Sequence, residues 1–188
     1  MLTRRLLSIP LAAALLFCLS AGLCSCVGDR EVRNSAALVA QAAILQIKNP
    51  SSPEPGLLCS GMLTETQFRE LSQEGYATFI NLRPTSEEGT GWESDFIKGL
   101  GGTYINLPIS GAAGISEANA RKLAAILDEA QRPAALYCGS SNRVGALLGL
   151  AKFHLEGASA DEAVIYAKQA GMTRLEPVLR KLTATAKN

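Results

Sequence analysis

The chain has 188 residues, 47% of them hydrophobic, with 18 basic and 17 acidic side chains and a formal net charge of +1. That length favours one domain with a tail and suffices to bury a real core. The near-zero charge supplies no basic field of the kind nucleic acid binding needs, so nucleic acid is set aside as a partner.

Residues 1–26 have the three parts of a secretory signal: Arg4 and Arg5, an apolar run over residues 11–19, and a small-residue exit. The run is shorter than the about 20 apolar residues of a membrane span. Leu23-Cys24-Ser25-Cys26 resembles a bacterial lipoprotein cleavage box, with Cys24 standing where a small or β-branched residue is usual. The expectation is an exported, periplasm-facing protein held on the membrane by a lipid on Cys26. Cys18 and Cys24 then leave with the signal, and Cys59 and Cys138 remain as two thiols in an oxidising compartment. Without Arg4 and Arg5 the chain has 16 basic against 17 acidic residues, so net charge does not select its partners.

Residues 27–50 read as a helical tether and linker. Val32, Ala36, Val39, Ala40, Ala43, Ile44 and Ile47 recur at helical spacing, with Asp29 or Asn34 as cap. Pro50, Pro53 and Pro55 break regular structure, which places a boundary there and a domain over residues 51–185. Within it, short apolar runs predict strands at 57–61, 77–82, 103–107 and 134–137. Between and after them, Thr64-Glu65-Thr66-Gln67, Ser116-Glu117-Ala118-Asn119 and Ser159-Ala160-Asp161-Glu162 open helices, and further helices are expected at 93–100, after residue 143 up to Gly157, and at 175–182. Strand and helix alternate, so the fold class is α/β: a three-layer domain whose mostly parallel sheet of about four strands is covered on both faces. In such folds ligands collect beyond the carboxyl ends of the strands.

Cys138 stands at one of those ends. It follows an apolar strand and precedes Gly139, Ser140, Ser141 and Asn142, a small-residue loop closed by Arg143 at the start of a helix. A thiol at a helix N-terminus faces the positive end of the macrodipole and unpaired amides, which favour the thiolate and also receive oxyanions. Arg143 beside that loop is costly to bury without an anion. Leu82-Arg83 and Leu107-Pro108 end two other strands, so their loops should rim the same pocket, with Arg83 either a second positive group for the substrate or a salt-bridge partner. Glycine-rich dinucleotide fingerprints and metal-ligand spacings are absent from the sequence, so no cofactor or metal is expected. His154, the only histidine, reads as a packed or surface residue.

Four stretches, Leu57-Leu58-Cys59-Ser60-Gly61, Gly75 to Pro84, Ile105-Asn106-Leu107-Pro108 and Tyr137-Cys138-Gly139-Ser140-Ser141-Asn142-Arg143, give residues 47–182 a resemblance to the bacterial beta-lactamase-hydrolase-like phosphatase domain. That family is a branch of the cysteine-dependent tyrosine and dual-specificity phosphatases. The resemblance implies a phosphatase-like fold in which Cys138 is the nucleophile and Arg143 clamps the phosphate, with Gly139, Ser140, Ser141, Asn142 and Arg83 around the substrate. It also brings Ser60-Gly61 near the active loop, which makes Cys59 a candidate redox partner of Cys138. Three features depart from the larger phosphatase families. Four residues separate Cys138 from Arg143 rather than five, a count also found in the persulfide loop of rhodanese-like sulfurtransferases; Tyr137 replaces a histidine; and the loop 110–117 has no aspartate, leaving Glu117, Glu87 or Glu88 as candidate acids. The expected reaction is hydrolysis of phosphate monoesters through a phosphocysteine. Sulfur transfer through a Cys138 persulfide and non-catalytic oxyanion binding are the alternatives, and the expected partner is a phosphorylated or sulfur-bearing small molecule or protein.

Overall fold

The computed structural model describes residues 34–185. The expected signal segment, its lipidation site Cys26 and residues 27–33 lie outside the described residues. Four strands, β1 (Leu57–Ser60), β2 (Thr78–Asn81), β3 (Thr103–Asn106) and β4 (Ala134–Tyr137), form one sheet in the order β1-β4-β2-β3. All three pairings are parallel, so the mostly parallel sheet expected from the sequence is wholly parallel.

Alternation along the strands sorts the side chains into two cores. Leu57, Cys59, Ile80, Ala134 and Leu136 face one side, where they meet α4 (Glu117–Glu129), α5 (Asn142–Glu156), α6 (Ala160–Gln169) and α7 (Glu176–Thr185). Leu58, Phe79, Ala135 and Tyr137 face the other, against α1 (Ser35–Ile44), α2 (Glu65–Gln73) and α3 (Glu93–Gly99). The three layers follow from this sorting. Thr64 and Ser159 close full capping boxes, and Gly157 ends α5 at φ +71°, as their residue types require.

The helix expected as a tether packs on the domain. Leu38, Ala42 and Ile47 are buried with Leu58 and Phe68, and Asn34 supplies the cap by accepting from the Ala37 amide. The helix stops at Ile44, short of Ile47 where the helical spacing ends, because Gln46 and Asn49 turn to φ +53° and +46°. Ser51 then pairs antiparallel with Cys59 through two backbone hydrogen bonds of 2.9 and 2.8 Å, which covers the free edge of β1. The final helix begins at Glu176 and runs to Thr185, one residue later at its start and three at its end than its apolar spacing indicates.

The order β1-β4-β2-β3 places β4 beside β2, and the connections leaving these neighbours go to opposite faces, α5 to one and α3 to the other. Adjacent strands whose loops part in this way open a crevice at their carboxyl ends. Cys138 and Arg83 begin the two loops that border it.

Helix α5 approaches α6 closely at two glycines. A methyl group at Gly149 would lie 2.5 Å from the Ala163 carbonyl oxygen, and one at Gly145 would lie 2.4 Å from that of Ala167. Backbone atoms cannot yield as a side-chain tip does. An exposed helical Gly→Ala change is ordinarily stabilising, but Gly149→Ala is expected to destabilise by about 1–3 kcal/mol through overpacking, read as a lower urea midpoint at unchanged slope.

Candidate active site

Strand β4 delivers Cys138 at the floor of the crevice, where the residue is only 1% exposed. The chain then turns sharply because Ser141 sits in the left-handed region at φ +63°, a conformation costing a non-glycine residue about 1–2 kcal/mol. Tertiary contacts impose it. The Ser141 hydroxyl donates to the Ala170 carbonyl at 3.2 Å, and Gly171, at φ +93°, lies so close that a Cβ there would come within 2.4 Å of the hydroxyl oxygen. Asn142 fastens the same turn from its other side: its Oδ1 accepts from the amides of Thr173, Arg174 and Leu175 at 2.9, 2.9 and 3.3 Å. Ser141 and Asn142 therefore shape the loop through their side chains. Among the described residues the amides of Gly139, Asn142 and Arg143 have no acceptor, and they form a concave set of donors at the start of α5.

Arg143 is held edge-on to this set. Its Nη1 and Nη2 donate to the two carboxylate oxygens of Glu87 at 2.5 and 2.9 Å, and Nη1 also donates to the Ile109 carbonyl at 2.8 Å. A guanidinium has five N–H groups, so Nε–H and one proton of Nη2 remain, and these lie on the edge opposite Ile109. Nη2 is 3.4 Å from where a Gly139 Cβ would be, which places the free edge over the loop. The Glu87 hydrogen bond raises the Arg143 pKa above its ordinary value against the effect of burial. The result is a two-pronged donor beside loop amides and a thiol, the arrangement that grips two oxygens of a tetrahedral anion.

Arg83 is brought near this pair without lining the cleft. It is 5% exposed, and its guanidinium is spent on the Glu87 carboxylate at 3.2 Å and on the carbonyls of Glu88 and Gly89. Its backbone is fixed by Asn81, whose Oδ1 accepts from the Arg83 amide at 2.8 Å, and by Asn106, which donates to the Arg83 carbonyl at 2.9 Å. The salt-bridge reading of Arg83 is the one the geometry realises. Arg83 organises the loop that presents Glu87.

Neither Glu87 nor Glu117 is a protonated carboxyl aimed at the loop. The hydrogen bond from Arg143 holds Glu87 below the usual carboxylate range, with Arg83 adding to it. Glu117 sits at the start of α4, lowered chiefly by its hydrogen bond to Arg121, and lies 3.5 Å from His154 Nδ1. Glu88 is exposed and contributes a carbonyl to Arg83. Tyr137 lies on the opposite sheet face from Cys138, where it packs edge-on to Phe68 with centroids 5.5 Å apart. It cannot take the place of a histidine beside the thiol.

Cys59 and Cys138 are both free thiols. The parallel register sets Cys59 opposite Leu136, so Cys138 is one diagonal step further along the same face. Strand spacing and rise put such α carbons about 8 Å apart, which a disulfide spans only if the backbone moves. Burial pushes the Cys59 thiol up and keeps it protonated.

Sequence reading missed three contributors. Lys48 and Arg174 line the cleft with Glu87, Arg143, Gly139 and Asn142 around a volume of about 570 Å³. The third is Glu93, only 2% exposed, which accepts from Asn81 and the Gly91 amide and so anchors the far end of the Glu87 loop. Asn49-Pro50 and Glu93 at a helix start were legible signals of local geometry, and neither spacing pointed to the cleft.

No protein-family model matches the chain, and no curated protein matches it. Solved structures do. A candidate phosphatase from Neisseria meningitidis superposes with a TM-score of 0.60 at 24% identity over 71% of this chain and 96% of its own. A candidate phosphatase of the DUF442 group from Shewanella putrefaciens gives 0.58 at 22% identity over 77% and 97%. The core catalytic domain of the PP-IP phosphatase SIW14 from S. cerevisiae gives 0.54 at 19% identity over 73% and 86%. Likeness at these identities speaks for architecture, and it shows that the chain shares the phosphatase-like α/β fold of these structures.

Proposed function

We propose that the protein is a cysteine-dependent phosphatase that hydrolyses phosphate monoesters, and that Cys138 is its nucleophile. The observation that carries this reading is the free Nε/Nη2 edge of Arg143, held by Glu87 over unpaired loop amides directly after Cys138. The export and lipid anchoring read from residues 1–26 belong to the same proposal.

In the first step the Cys138 thiolate attacks phosphorus, forming the S–P bond as the P–O bond to the leaving group breaks. The leaving oxygen departs with the bonding pair and takes a proton from solvent. The Gly139, Asn142 and Arg143 amides and the Arg143 guanidinium hold the equatorial oxygens as charge gathers on them. In the second step water attacks the phosphocysteine, the S–P bond breaks, the thiolate is restored, and phosphate leaves while the water proton passes to solvent. With its carboxylate ionised against two arginines, Glu87 does not donate to the leaving oxygen. General acid catalysis is ordinarily worth about 10²–10⁴-fold, so good leaving groups are favoured.

Cys138→Ser is expected to abolish turnover of p-nitrophenyl phosphate, and wild type to prefer it over an alkyl phosphate by about 10²-fold or more. Thiosulfate:cyanide sulfur transfer by wild type without aryl phosphate turnover would sink the assignment in favour of a persulfide carrier. Glu87→Gln removes the charge that holds the Arg143 edge and is expected to lower kcat/KM by about 10–100-fold. The group is ionised above its depressed pKa, so its contribution is present at neutral pH and is lost as pH falls through that value. The variant should therefore lose sensitivity on the acid limb of the pH–rate profile and keep the alkaline limb.

A further inference from the structure

The cleft above the loop has more positive charge than one phosphate uses. Its lining includes Lys48, Arg143 and Arg174 against a single carboxylate, Glu87, which Arg143 and Arg83 already neutralise. Lys48 and Arg174 are exposed, and among the described residues neither has an ion-pair partner. They come from separate segments, one before β1 and one between α6 and α7.

Both cations are positioned by the loop itself. Asn49, next to Lys48, donates from Nδ2 to the Ser140 and Gly171 carbonyls, both at 3.0 Å. The Lys48 carbonyl accepts from the Gly61 amide at 2.7 Å, and its stem crosses Gly61, where a methyl group would come within 3.1 Å of three of its carbons. Gly61 is in turn bridged to Ser140. On the other side the Arg174 amide is bound by Oδ1 of Asn142 at 2.9 Å. The residues that shape the phosphate loop thus carry two unpaired cations to its mouth. Three like charges around one cleft repel each other until an anion enters. The lining holds no aromatic side chain to receive a phenyl ring, and Ala112 and Leu175 are its apolar members.

We infer that Lys48 and Arg174 form a second anion subsite, and that the ligand of this cleft is a small molecule bearing a further phosphate close to the one held at Cys138. This rests on the phosphatase reading for the first phosphate and adds the class of substrate. Arg143 and the loop amides take the phosphate at the thiol, while Lys48 and Arg174 take its neighbour through charge-assisted contacts.

Calorimetry on the Cys138→Ser chain with orthophosphate and tripolyphosphate as probes tests the subsite without turnover. Tripolyphosphate is expected to bind at least about tenfold more tightly than orthophosphate, as two charge-assisted contacts allow. Adding Lys48→Gln and Arg174→Gln should bring the ratio close to one, and Lys122→Gln, an exposed lysine on α4, should leave it intact. Equal affinity for the two probes, no binding of either, a ratio that survives the double change, or the same loss with Lys122→Gln would each overturn the proposal. Absence of aryl phosphate turnover in wild type would strike only the phosphatase reading, because the binding ratio is measured independently of it.

Discussion

An arginine at the start of a buried helix needs a counter-charge, and in this protein the Glu87 carboxylate provides it from a different loop. That ion pair joins the connection after β2 to the one after β4 across the crevice between them. Its geometry matters more than its strength. A partly exposed pair adds about 0–1 kcal/mol to stability, yet by taking the Nη1/Nη2 edge it dictates which edge of Arg143 faces the thiol. Behind it stands a relay of buried polar groups. Asn81 fixes the Arg83 backbone, Arg83 threads the loop through Glu87, Glu88 and Gly89, and Glu93 ties down its far end. Each member satisfies another, which is the condition for a buried polar network to be tolerated.

The same pair also settles what Glu87 can do. A carboxylate between two guanidinium groups is kept ionised and cannot serve as a proton donor, whatever its distance from the leaving group. Glu117, at the head of α4, is likewise held ionised by Arg121. In the proposed reaction the proton is therefore left to solvent. This suits leaving groups that are stable as anions.

The floor of the site is shaped by packing far from the chemistry. Ser141 tolerates its left-handed backbone because the Ala170 carbonyl and Gly171 enclose it, and Gly171 is brought there by the close approach of α6 to α5 at Gly145 and Gly149. The glycines of α5 thus serve the loop at its N-terminus. Asn142 continues the logic, spending its oxygen on three amides of the α6–α7 connection and so carrying Arg174 to the rim.

How much of this was legible in the sequence depends on the range of the interaction. The strands, their burial, the capping boxes and the loop from Cys138 to Arg143 were readable because each rests on neighbours within a few residues: alternation, a cap and its amide, a thiol followed by small residues and a helix. The sequence alone therefore determined an α/β domain with a small-residue loop between a thiol and an arginine at the end of one strand. It did not determine the partner of Arg143, the role of Arg83, the packing of α1 on the domain or the two cations at the rim. The decisive contacts join distant segments, Glu87 with Arg143 over 56 residues and Asn49 with Ser140 over 91, and only the strand order that sets β4 beside β2 and β1 decides which loops meet. Local rules carry no record of that order, so the orientation of the guanidinium and the charge of the cleft belong to the tertiary structure.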